Sequence, residues 1–250
     1  MMPTPHRPAR YPSAAPAMLL ALKLALALVP TSTVAVAVAV MMTSRPAAAA
    51  APIAADEAAV STGSWFCSRY VEAAAAGPGA ADIVSVVRAF ALGYVYGVSE
   101  AVGKPFPEAA DNDRRIIDLL GKGCSADGAR AVRDATLLAG RAMLEDARSI
   151  AGHPAEDATG MLACRAYLDA RSQEAAGTRP GRAPLRLEQM RNWADGYINA
   201  RFERAGRGLI PTAKNKALML ERFSAACTAR PSATVRETAR GVVEATLPAR

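Results

Sequence analysis

Four cysteines, Cys67, Cys124, Cys164 and Cys227, are the residues of this 250-residue chain whose type best suits them to chemistry. A thiol can bind metal, exchange disulfides, attack a substrate or close a structural bridge, and spacing separates these uses. There is no Cys-x-x-Cys, so neither a zinc knuckle nor a dithiol redox pair is written. The only histidines are His6 and His153. His153 stands beside Pro154 in a linker, which leaves a serine triad or cysteine dyad without a placed base. No glycine-rich phosphate loop follows a strand. Carboxylate pairs such as Glu145-Asp146 fall at helix ends, where they read as a solvated face. Tyr94, Tyr96 and Tyr197 could form a ligand slot, but aromatics at helical spacing read as core. The sequence thus points to a non-enzyme with no catalytic residues, no cofactor and no metal site. Its cysteines are expected to form structural disulfides in an oxidising compartment.

The elements that must position those cysteines are written twice. "AFALGYVYGVSEAVG" (Ala89 to Gly103) and "NWADGYINARFERAG" (Asn192 to Gly206) align at a shift of 103. The shift places Phe90 on Trp193, Gly93-Tyr94 on Gly196-Tyr197, Val95 on Ile198, Leu120 on Phe223 and Cys124 on Cys227. Upstream, "CSRYVEA" from Cys67 matches "CRAYLDA" from Cys164 at a shift of 97, the difference being taken up around "GTRPGRAP", Gly177 to Pro184. Four cysteines allow three pairings, and the repeat selects Cys67–Cys124 with Cys164–Cys227. Closing loops of this size stabilises each unit by roughly 4 kcal/mol on the chain-entropy account. The expected repeat core comprises Trp65, Phe90, Gly93, Tyr94, Trp193, Gly196, Tyr197 and Phe223.

Each copy reads as four helices, so the expected fold is all-α: two tandem, disulfide-clamped helical units over 56–149 and 161–250, joined by a linker over 150–160. Ile83, Val86, Val87, Phe90, Tyr94 and Val98 follow the i, i+3, i+4, i+7 spacing of a buried helical face. Proline in "GKPFP" ends that helix. Asp111 is expected to cap the third helix, stopped by Gly121 or Gly123, and Ser125 to cap the fourth, which carries Val132, Leu138, Ala139 and Met143. In the second copy Thr212 caps the third helix, and Pro231 occupies the first turn of the fourth. Each copy is expected to bury its own glycine-tyrosine helix.

Residues 1–50 read as a secretory signal peptide, with a basic start at Arg7 and Arg10, an apolar stretch, and small residues around a cut at roughly 49–55. The alternative is an uncleaved anchor, since Ala17 to Met42 exceeds the ~20 residues of a span. Lys23, Pro30 and Thr31-Ser32-Thr33 interrupt it. The expected location is therefore periplasmic or secreted, without stable membrane insertion after cleavage. The net charge of +7 falls to +3 without the leader's four basic residues, leaving 26 Lys/Arg against 23 Asp/Glu. With no dense basic patch and no interleaved aromatics, a nucleic-acid partner is not expected. Residues 56–150 carry 10 basic against 13 acidic side chains and residues 151–250 carry 16 against 10, so the halves have opposite sign.

An apolar leader, "WFC", a helix centred on aromatic-x-x-Gly-Tyr, and a closing "ERFSAACTARPSATVRETARGVVEA" together resemble the HdeA/HdeB acid-stress chaperone family. That resemblance implies a small periplasmic all-α protein. It implies ATP-independent holding of unfolding periplasmic proteins through apolar faces exposed by acid, with Cys67, Cys124, Cys164 and Cys227 as the disulfide cysteines and Trp65 as the aromatic before the first. The family is usually a single dimerising copy. Here two are fused, Leu162 stands where Trp65 stands in the first, and the two repeats are expected to dock as an internal pseudo-dimer. "FALGYVYGVSEAV" also resembles periplasmic immunity proteins of the Rap/Tai kind that neutralise secreted toxins, although Leu92 and Ala194 stand near where those carry a further cysteine. A third possibility is an exported helical binding module.

Overall fold

Glycine and proline punctuate the chain, and helices fill the intervals. The computed structural model describes residues 60–146, 155, 157–177, 182–208 and 212–247. The leader, its cleavage region and His153 lie outside the described residues. The fold is all-α, with eight helices among the described residues: α1 Cys67–Ala76, α2 Ala81–Ala101, α3 Ala110–Ala126, α4 Val132–Glu145, α5 Cys164–Ala175, α6 Arg182–Arg204, α7 Ala213–Ala229 and α8 Val235–Thr246. Short 3-10 turns at Thr62–Ser64 and Thr159–Met161 precede α1 and α5. Residues 157–160, expected to be linker, therefore include the start of the turn that leads into the second set of helices.

The two sets make the same backbone connections. Cys67 N–H donates to Arg130 O and Cys164 N–H to Ala233 O, each at 2.8 Å. Val132 N–H bonds Trp65 O and Val235 N–H bonds Leu162 O, again at 2.8 Å. The disulfides Cys67–Cys124 and Cys164–Cys227 span 57 and 63 residues. Each ties the first helix of a set to the last turn of its third. Gly103 and Gly206, with φ of 70° and 71°, turn the chain away from α2 and α6 in a conformation only glycine adopts without penalty.

Several local expectations give way to the folded context. Ala109 precedes α3 without a side-chain cap, and Asp111 lies in the first turn, where its negative charge complements the positive end of the helix dipole. Gly121, Gly123 and Ser125 all lie inside α3, because Cys124 must be carried to Cys67 before the helix ends. Ala131, not Ser125, precedes α4, and its extended backbone bridges to Phe66. Pro231 sits ahead of α8, whose start is fixed by a Thr234–Glu237 capping box. Thr212 does cap α7, accepting from Asn215 N–H at 3.2 Å. Leu138 is exposed, whereas Val132, Ala139 and Met143 are buried.

The two sets do not keep separate cores. One apolar cluster joins Val95, Tyr96, Phe106, Ile116 and Met143 to Tyr167, Trp193, Tyr197, Phe223 and Val243. The other, built on Trp65, Tyr70, Phe90, Tyr94 and Leu120, takes Ala200 from α6. Among the described residues, helices α2 and α6 form the most extensive helix–helix contact. That central position accounts for α2 being apolar nearly all round: the run Cys67–Ala101 is long and apolar enough to cross a membrane by composition, yet 67% of its most apolar window is buried inside the fold.

Candidate functional site: the contact between the two glycine-tyrosine helices

The apolar residues from Ile83 to Val98, spaced at the helical period, make α2 a buried helix, and its glycines let α6 come close. A methyl group on Gly93 would lie 2.8 Å from the carbonyl carbon of Trp193 and nearer still to its oxygen. One on Gly196 would lie 2.9 Å from Tyr94 N and 3.0 Å from the Phe90 carbonyl carbon. The main chains therefore touch at two places related by the 103-residue shift. Beside them, Phe90 stacks on Tyr94 with ring centroids 5.9 Å apart, and Trp193 stacks on Tyr197 at 5.4 Å. Trp193 Nε1 is the one buried side-chain polar atom of the described residues without a hydrogen-bond partner.

Polar groups border this apolar contact, and several repeat the same relation. Tyr94 Oη donates to Glu203 Oε2 at 2.6 Å, and Tyr197 Oη donates to Glu100 Oε2. Each tyrosine thus bonds a glutamate of the opposite set, and burial together with that carboxylate raises both phenols. Glu100, 8% exposed, also accepts from Arg236 Nε at 2.6 Å and Arg240 Nη2 at 2.8 Å, with Arg201 Nη1 at 3.8 Å. Burial alone would raise its carboxyl, but donation from Arg240, Tyr197 and Arg236 outweighs burial and holds it below its ordinary value.

Glu108 is buried deeper, at 1% exposure, between α2 and α3 in sequence yet against the second set in space. It accepts from Gly160 N–H at 3.0 Å and from Arg236 Nη1 at 3.4 Å. Burial pushes its carboxyl up to about 7, Arg236 opposes this, and Asp113 and Glu100 add to it. Asp113 accepts from Tyr96 Oη, and the Arg236 guanidinium lies 5.4 Å from the Tyr96 ring centre. At the other end of the contact, Ser61 Oγ donates to the fully buried Asp195 at 2.8 Å, and Asn199 Nδ2 donates to the same carboxylate at 2.8 Å. Burial raises Asp195, and Lys216 counters it.

The structure brings together six of the eight expected core residues, Phe90, Gly93, Tyr94, Trp193, Gly196 and Tyr197, at this one contact. Trp65 lies apart beneath the Arg69 guanidinium at 4.4 Å, and Phe223 packs edge-on against Tyr167 at 5.1 Å. Glu100, Glu108, Asp195, Arg236 and Arg240 were missed by sequence reasoning. For two of them a signal existed: the 103-residue shift carries Glu100 to Glu203 and Arg133 to Arg236. Among the described residues no group of three or more His, Cys, Asp and Glu side chains is placed to hold a metal ion. The paired arginines and carboxylates can hold the two helix sets together. No protein-family model, characterised protein or solved structure matches this chain.

Proposed function

We propose that the protein is an exported, ATP-independent acid-stress holdase, a non-enzyme that captures unfolding periplasmic proteins on the apolar faces of α2 and α6. The observation carrying this reading is that both disulfides close within a helix set, so only non-covalent contacts bordered by Glu100, Arg236 and Arg240 hold α2 against α6. Two disulfides are compatible with an oxidising, exported compartment. At neutral pH the opposite net charges of the halves favour their docking as an internal pseudo-dimer.

Acid acts on the two glutamates in opposite senses. Glu108, raised to about 7, takes up its proton in the folded state first, which favours the fold as pH falls from 7 toward the ordinary carboxylate range. Glu100 is held low, so the stability it contributes persists above the ordinary value and drains away as pH falls through its depressed one. The fold therefore tolerates mild acid and loosens in strong acid. There the 26 Lys/Arg outside the leader repel one another without compensation, while the disulfides keep each set partly ordered.

The test is a titration of the oxidised protein from pH 7 to pH 2 with a hydrophobic-surface dye and an acid-aggregating test protein. Dye binding that rises below about pH 4, with aggregation suppressed, supports the holdase. A compact, dye-silent protein that leaves aggregation unchanged removes it. A groove of about 460 Å³ over α5, α6 and α7, lined in part by Tyr167, Arg171, Arg191 and Glu221, favours the second reading. In that reading the protein is an immunity-type binder of a secreted toxin, or a helical module with another fixed partner. It would remain rigid through the same titration.

A further inference from the structure

The repeat relation between the helix sets, 97 residues as far as α1 and α5 and 103 beyond, places two pockets in matching surroundings, and only one of them is filled. In the filled one, the Glu108 carboxylate accepts from the backbone N–H of Gly160 at 3.0 Å and from Arg236 at 3.4 Å, beside the Trp193 ring. At the matching shifts stand Gly63 for Gly160, Arg133 for Arg236 and Phe90 for Trp193. The backbone frames agree, since Val132 N–H reaches Trp65 O and Val235 N–H reaches Leu162 O at the same 2.8 Å. Yet position 211, which matches Glu108, is proline, so this chain has no second carboxylate to send there. In its place is a cavity of about 180 Å³ lined by Ser61, Gly63, Ser64, Phe90, Arg133 and Asn199, among others.

The donors in that cavity are held only by weak local acceptors. Gly63 N–H reaches only Ser61 Oγ, at 3.4 Å, where Gly160 N–H has a carboxylate at 3.0 Å. Arg133 is exposed and bonds its neighbour Asp134 at 3.1 and 3.2 Å. An exposed pair of that kind is weak and yields readily to a second carboxylate. Asp195, behind Asn199, does not compete for Arg133, because Ser61 and Asn199 already donate to it and Lys216 lies within electrostatic reach. Glu203, also within electrostatic reach of Arg133, accepts the hydrogen bond of the Tyr94 hydroxyl.

The geometry points to a carboxylate-binding pocket at Gly63 and Arg133, the open counterpart of the pocket that Glu108 fills from within. Its ligand is one carboxylate on a short aliphatic stem, the shape of a glutamate side chain. Gly63 N–H and the Arg133 guanidinium hold the charge, and the Phe90 ring holds the stem. Such a group arrives either as the side chain of a docking protein or as a free short-chain acid. The site does not depend on the holdase reading.

The oxidised protein, labelled with ¹⁵N, is titrated at neutral pH with sodium propionate against sodium chloride of equal ionic strength. Saturable shifts of the Gly63 amide and the Arg133 Nε–H, with a midpoint on the order of 10 mM, are expected for so small a ligand. Arg133→Gln, a surface change that spares the core, weakens binding at least tenfold. A capped tripeptide with central glutamate, run beside its glutamine counterpart, separates the sources. Tighter saturation by the glutamate peptide assigns the pocket to a protein side chain, and tighter saturation by propionate assigns it to a free acid. Shifts that do not saturate, that chloride reproduces, or that survive Arg133→Gln overturn the proposal.

Discussion

Gly93 of α2 lies so close to Trp193 of α6 that a single added methyl would sit well inside van der Waals contact distance of the tryptophan backbone carbonyl. Gly196 stands in the same relation to Phe90. The obstructing atoms are backbone, which cannot rotate aside, so Gly93→Ala or Gly196→Ala must push the helices apart. Each should cost about 3 kcal/mol, the upper end for overpacking. Gly97→Ala should cost less, since its added methyl would meet the Tyr197 oxygen at 2.8 Å and the Ala200 side chain at 3.0 Å. Urea unfolding of the three variants checks the order.

Glu108 should make the protein less stable as pH rises. Its folded-state value near 7 exceeds the ordinary 4.5, so its protonated form favours the fold, and that contribution is lost as pH climbs through 7. Glu108→Gln keeps the shape without the charge. The variant should match the parent near pH 4 and exceed it by pH 8, by up to roughly 3 kcal/mol. Denaturant unfolding at the two pH values reads the difference.

Glu100 carries the opposite slope. Glu100→Gln leaves Arg236 and Arg240 without their shared charge partner in a partly buried setting and should cost about 3–5 kcal/mol at pH 7. The variant should also lose much of the parent's decline in stability between pH 5 and pH 2, because the group whose protonation drives part of that decline is gone. A variant as acid-sensitive as the parent would show that other carboxylates set the threshold.

Replacing both Cys67 and Cys124 by serine should lower stability by about 4 kcal/mol, and the same exchange at Cys164 and Cys227 by a similar amount. Because the apolar clusters mix both sets, either loss should move one cooperative transition rather than release half of the molecule by itself. Coincident unfolding curves from tryptophan fluorescence and circular dichroism test this.

The helices were legible in the sequence where the signal is local. Periodicity gives α2 from Ile83 to Val98, and the repeat gives the cysteine pairs. The expected caps at Asp111 and Ser125 give way because α3 starts after Ala109 with no side-chain cap, its last turn runs on past Ser125 to carry Cys124 to Cys67, and the start of α4 is set by the Ala131–Phe66 bridge. Glu100 and Glu108 look like any solvated glutamate, since one letter says nothing of the arginines that fold against it from α8, more than 120 residues away. The tight approach at Gly93 was equally hidden. Glycine in a helix reads as weakness until the partner backbone is in view.

The lone Glu108 has a consequence for symmetry. A dimer of identical chains must carry a glutamate at both such positions or at neither. One polypeptide holding both helix sets escapes that rule: glutamate at 108 and proline at 211 let each pocket evolve alone. One has become an internal fastener, and the other is free to serve as a receptor.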